Sequence, residues 1–139
     1  MNKIMSFIKL FICLLLSFSV AAQNNVTIIK KGETFQLIKN NKPYYIKGAG
    51  AKSHFRLAAE SGANSIRVWS TNNENLLDSA QKYGLTVTLG LWVAQERNGF
   101  NYNDEYSVKG QIEKLKKDIL KLKDHPALLV WGIGNEVDL

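Results

Sequence analysis

Cysteine is almost missing from this chain: 139 residues contain one, Cys13, with two histidines, His54 and His125. One cysteine excludes a disulfide framework, and two histidines far apart in sequence offer no metal-ligand spacing. Proline occurs only at positions 43 and 126, so no proline-rich linker divides the chain. No phosphate-cradling loop is present, because Gly48 and Gly50 are followed neither by a third glycine nor by a Lys-Ser/Thr pair. No cofactor and no metal are therefore expected. The net charge of +6 is too weak to point to nucleic acid. Much of it is Lys114, Lys116, Lys117, Lys121 and Lys123 on one predicted helix, which reads as a solvated face.

Long apolar runs are also scarce, with one exception at the amino terminus. Sixteen of the first 22 residues are apolar and none is acidic. Lys3 and Lys9 flank an apolar centre, and Ser19-Val20-Ala21-Ala22 closes it. This is the layout of a secretory signal peptide over 1–22, cleaved near Ala21 or Ala22. The centre falls short of the ~18 uninterrupted apolar residues that a membrane span needs. A secreted or periplasmic protein is expected, without membrane attachment after cleavage. Cys13 leaves with the leader, which removes thiol chemistry from the mature chain. The remaining 117 residues carry +4 and 47 apolar residues, the balance of an ordinary globular protein.

Two apolar runs, Val26 to Ile29 and Phe35 to Ile38, are separated by Lys30-Lys31-Gly32-Glu33 and followed by Asn40-Asn41. Gly32 and the asparagine pair supply turn positions with positive φ, so 23–43 reads as a β-hairpin region. From Tyr44 onward short apolar runs alternate with helical periods, the signature of βαβ units and a parallel sheet. Strands are expected at Tyr44–Gly48, Ser65–Trp69, Thr86–Leu91 and Leu128–Ile133, with helices near Ser53–Ser61 and from Leu76 to Tyr83. Thr71 or Asn72 is a candidate cap for the second helix. Ser61-Gly62-Ala63 and Tyr83-Gly84-Leu85 are the same exit twice, a left-handed glycine followed by an apolar contact. In the third helix Val108, Ile112, Leu115, Ile119 and Leu122 recur at alternating spacings of four and three, placing one stripe toward the sheet. The last strand is apolar without alternation, as expected when both faces are covered.

Parallel sheets gather functional residues at the carboxyl ends of their strands. Here those ends carry Arg67 and Trp69, then Trp92, then Asn135-Glu136. A carboxylate beside an amide, an arginine and aromatic rings suit sugar chemistry. A glycosidic bond needs one carboxyl to protonate the leaving oxygen and a second to attack or to activate water. Taken singly, a glutamate near a chain end is usually a solvated surface residue, and an aromatic in a parallel strand is usually core.

Together they form a pattern. The segment from His125-Pro126 through Leu128-Leu129-Val130-Trp131-Gly132-Ile133 to Gly134-Asn135-Glu136 resembles the fourth-strand motif of the clan A retaining β-glycosidases, most closely the family 2 glycoside hydrolase barrels. Asn41-Lys42-Pro43 through Gly48 resembles the approach to their first strand, and Ala63-Asn64-Ser65-Ile66-Arg67 their second. The resemblance implies the amino-terminal half of a (β/α)8 TIM barrel over 44–139. It implies Glu136 as general acid/base, Asn135 as ligand of the sugar 2-hydroxyl, and Arg67 as partner of the nucleophilic carboxylate. Trp69 and Trp92 would be subsite walls, and Trp131 core.

The expected activity is hydrolysis of O-glycosyl bonds in a β-linked oligo- or polysaccharide, by retaining double displacement. In the resembled enzymes the nucleophile is a glutamate on the seventh strand. Glu96 and Asp138 are poor substitutes, so the chain reads as the amino-terminal part of a longer enzyme, inactive alone. A β-glucan transglycosylase and a noncatalytic carbohydrate-binding half-barrel are the alternatives. The expected partner is a carbohydrate, with no nucleic acid, and the oligomeric state is left open.

Overall fold

A computed structural model of the protein describes residues 25–72 and 75–137. The predicted leader, with Cys13, lies outside the described residues, as does Asp138. The chain forms a mixed α/β structure with two sheets.

The first sheet is antiparallel, with β1 (Val26–Lys31) beside β2 (Thr34–Lys39) and a two-residue β3 (Lys42–Pro43) beside β2. Its turns sit where the sequence places them. Gly32 has φ 62°, and Asn40 and Asn41 have φ 50° and 62°, the left-handed values that a two-residue hairpin turn needs.

The second sheet is parallel, in sequential order β4 (Gly48–Gly50), β5 (Ser65–Val68), β6 (Thr86–Leu91), β7 (Leu128–Ile133). The crossovers are α1 (Phe55–Glu60), α2 (Asn75–Lys82) and α3 (Glu105–Leu122), with a 3₁₀ turn at Glu96–Asn98 before α3. Both predicted glycine exits are present. Gly62 (φ 89°) and Gly84 (φ 69°) end α1 and α2, and Ala63 and Leu85 donate back to Ala58 and Ala80, each at 3.0 Å. These bonds fill carbonyls that the helix ends would leave unpaired, and they turn the chain back onto the sheet.

One sheet face carries the core. Ile66, Val68, Val87, Leu89 and Leu128 pack with Phe55 of α1 and with Leu76, Leu77 and Ala80 of α2. Alternation along β5 and β6, with the register shift at Val87/Thr88 that resets β7, gives the opposite face Ser65, Arg67, Thr86, Thr88, Gly90, Val130 and Gly132. Apart from Val130, that face is polar or glycine. Trp131 packs against the core, as expected of a strand tryptophan.

Three expectations are corrected. The first parallel strand is not Tyr44–Gly48 but Gly48–Gly50. The reason lies in Asn64, whose side chain accepts from the Lys47 amide and donates to the Tyr45 carbonyl, both at 2.8 Å. Bound to a side chain, residues 44–47 cross between the sheets without joining a ladder. The Tyr44 hydroxyl meanwhile donates to the Asn64 carbonyl at 2.8 Å and lies 3.0 Å from the Thr86 hydroxyl, tying the crossing to β5 and β6. Next, the α3 stripe faces inward only in part: Val108, Leu115, Ile119 and Leu122 are half-buried, with Leu122 packed against the core, and Ile112 is exposed. Finally, β7 is not covered on both faces. Leu128 and Leu129 are buried, but burial falls off along the strand and Ile133 at its end is 76% exposed.

A polar tie holds α3 to the loop after β5. The Thr71 hydroxyl donates to Asp118 of α3 at 2.7 Å, and the Lys114 ammonium lies 2.9 Å from the same oxygen. Partial burial pushes the Asp118 pKa up. Hydrogen bonds from Lys114 and Thr71, with the charges of Lys114 and Lys117, outweigh it and hold the carboxyl below the ordinary aspartate value. A depressed folded pKa gives stability that is present above the unfolded pKa of about 4 and is lost as pH falls through the lower folded value. Asp118→Asn is therefore expected to lower stability by about 0.5–1 kcal/mol at neutral pH. At acid pH it should match the parent, as read from urea midpoints across a pH series. A difference that persists unchanged in acid contradicts the tie.

Candidate functional site

The carboxyl ends of β5, β6 and β7 lie side by side, and four of the five predicted residues meet there. Arg67 projects from the polar face of β5. Its guanidinium donates to the Asn135 side-chain oxygen at 3.1 Å and lies 5.5 Å from the Trp69 ring centroid. β6 lies between the two strands, and Gly90 and Gly132 are register partners at its junction with β7.

Trp69 is seated by glycines. A Cβ on Gly50 would stand 2.9 Å from the end of the Trp69 ring, and a Cβ on Gly90 would stand 2.5–2.6 Å from the Trp69 backbone. The tryptophan thus needs both glycines to lie where it does.

Glu136 follows Asn135 with φ 50°, a left-handed conformation that is uncommon outside glycine and asparagine. Its carboxylate is exposed and accepts from the Arg97 guanidinium at 3.2 Å. Arg97 comes from the 3₁₀ turn after β6, a segment that in sequence is only a polar loop. Beneath it lies Gln95, 4% exposed. Its amide nitrogen donates to the carbonyls of Asn135 at 2.6 Å and Glu136 at 3.3 Å, and its oxygen accepts from Arg97 and Asn98. Neither Gln95 nor Arg97 is legible as a site residue in the sequence, because an isolated polar side chain in a loop has no period. The one usable signal is that both fall within six residues of a strand's carboxyl end.

Trp92 stands apart from the carboxylate. It is half exposed and, with Trp69, Phe100, Asn72, Gln111 and Lys52, lines an open groove of about 710 Å³. Neither Glu136 nor Asn135 lines that groove, so Trp69 is the residue common to both regions. A second groove of about 810 Å³ runs along β4 and α1, and no acidic residue lines it among the described residues. Among the described residues no group of three or more His, Cys, Asp or Glu is placed to hold a metal ion.

Chemically, the cluster offers one solvent-reachable carboxylate whose position is fixed through its backbone and through Arg97. An amide and a second guanidinium stand next to it, with an aromatic groove alongside. It can hold a polyhydroxylated ligand by hydrogen bonds and ring stacking, and it can exchange a proton with that ligand at Glu136. No protein-family model matches the chain, and no curated protein matches it.

Proposed function

We propose that the chain is the amino-terminal half of a (β/α)8 barrel from a secreted, retaining β-glycoside hydrolase. The observation that carries the reading is the convergence of Arg67, Trp69, Asn135 and Glu136 at adjacent strand ends. The strand order adds support. An open doubly wound sheet reverses its order at a switch point, whereas a barrel runs sequentially, as β4 to β7 do. Ile133 at the exposed end of β7 and the half-covered stripe of α3 are surfaces that further βα units would cover.

In this reading Glu136 protonates the leaving oxygen in the first step and deprotonates water in the second. Asn135, oriented by Arg67, binds the 2-hydroxyl, a contact that tightens as the oxocarbenium-like transition state forms. Trp69 and Trp92 hold neighbouring sugar rings by stacking on their apolar faces. The nucleophile is a second carboxyl about 5 Å from Glu136, contributed by a later strand. In this reading the Arg67 guanidinium pairs with that carboxyl and keeps it ionised.

The test is stereochemical. The polypeptide encoded by the complete reading frame is incubated with 2,4-dinitrophenyl β-glycosides, and the first-formed sugar is observed by NMR. Release of the β-anomer is expected, and release of the α-anomer contradicts a retaining mechanism.

A further inference from the structure

Gln95 spends its whole hydrogen-bonding capacity at the proposed acid/base. A carboxamide has two N–H donors and an oxygen with two lone pairs. Here the nitrogen serves two successive carbonyls, Asn135 and Glu136, while the oxygen accepts from Arg97 Nε at 3.2 Å and Asn98 Nδ2 at 2.6 Å. Arg97 then reaches the Glu136 carboxylate with its terminal nitrogen at 3.2 Å. One buried side chain therefore grips the glutamate twice, through its backbone and through the cation paired with its carboxylate.

We infer that Gln95 is a positioning residue that sets where the Glu136 carboxylate stands, an inference that rests on the proposed acid/base role of that glutamate. The left-handed backbone at Glu136 is strained for a β-carbon-bearing residue, and it persists only if its surroundings fix it. Donors from Gln95 on the two carbonyls around that residue supply the fixing. On the carboxylate side, the Gln95 oxygen on Nε is one of the contacts that orient the Arg97 guanidinium toward Glu136. Glutamate at position 95 would keep the acceptors and lose both donors, and methionine would keep the volume and lose all four bonds.

Two measurements on the full 139-residue chain test the inference. In the parent, exchange of the Gln95 carboxamide protons, followed by NMR, is expected to be at least about tenfold slower than that of the exposed Gln81. Equal rates overturn the clamp, and this result does not depend on any variant folding. Carboxyl labelling with a water-soluble carbodiimide and glycine ethyl ester, mapped by mass spectrometry, then reads the accessibility of Glu136 itself. Gln95→Met is expected to raise its labelling rate about two- to fivefold, the scale of an exposed ion pair, with Glu60 and Glu113 unchanged. Arg97→Ala should give a similar rise, and the double variant no further one. Unchanged Glu136 labelling in Gln95→Met, or a rise shared by all three glutamates, overturns the inference. Because neither readout involves turnover, failure here leaves the acid/base assignment standing, and failure of that assignment leaves the clamp standing.

Discussion

Gly90→Ala is expected to destabilise the protein by about 3 kcal/mol, the upper end of the cost of overpacking a buried site. The added methyl would stand 2.5–2.6 Å from three backbone atoms of Trp69, closer than any real Cβ contact. A side chain could swing away, but the backbone leaving β5 can yield only by breaking the register that holds β5 against β6. Gly90 does not have a left-handed φ, so the effect is spatial and not conformational. Its register partner supplies the control. A Cβ on Gly132 would meet its nearest atoms at 3.9 and 4.0 Å, ordinary contact distances. Gly132→Ala should therefore be neutral or stabilise by up to about 1 kcal/mol through reduced unfolded-state entropy. Gly50→Ala falls between them, because it meets the far end of the Trp69 ring, which can tilt. Denaturant midpoints of the three variants give the ranking, and equal losses at Gly90 and Gly132 would contradict the packing described here.

Parts of this fold were legible in the sequence because they are governed by local chemistry. The exits at Gly62 and Gly84, the Asn40-Asn41 turn, and the bounds of β6 and β7 all follow from residues close together in the chain. Bonds between segments distant in sequence are different, since they leave no periodic trace. Asn64 displaces the first parallel strand by capturing the backbone of Lys47 and Tyr45 from 17 and 19 positions away. The apolar run of β7 signalled burial on both faces along its whole length, yet such a run does not show that burial fades toward Ile133. At the site, the strand-end rule located Arg67, Asn135 and Glu136, because it depends only on strand direction. The loop that supports them, Gln95 through Asn98, was hidden because its bonds reach across 40 residues to Asn135.

Glu136→Gln is the second large effect expected, since Glu136 is the proposed acid/base. Glutamine keeps the volume and an oxygen for Arg97 but has no proton to give. Loss of general acid catalysis costs about 10²- to 10⁴-fold in rate where the leaving group needs that proton. A leaving group that departs as a stable anion does not need it, so its release from the enzyme should stay near the parent rate. The most direct measurement is kcat/KM of the Glu136→Gln polypeptide, expressed from the complete reading frame, against β-glycosides whose leaving-group pKa values span nitrophenols to sugars. The account predicts a steep dependence, near-parental for 2,4-dinitrophenol and about 10²- to 10⁴-fold reduced for sugar leaving groups. An equal loss across the series would contradict it.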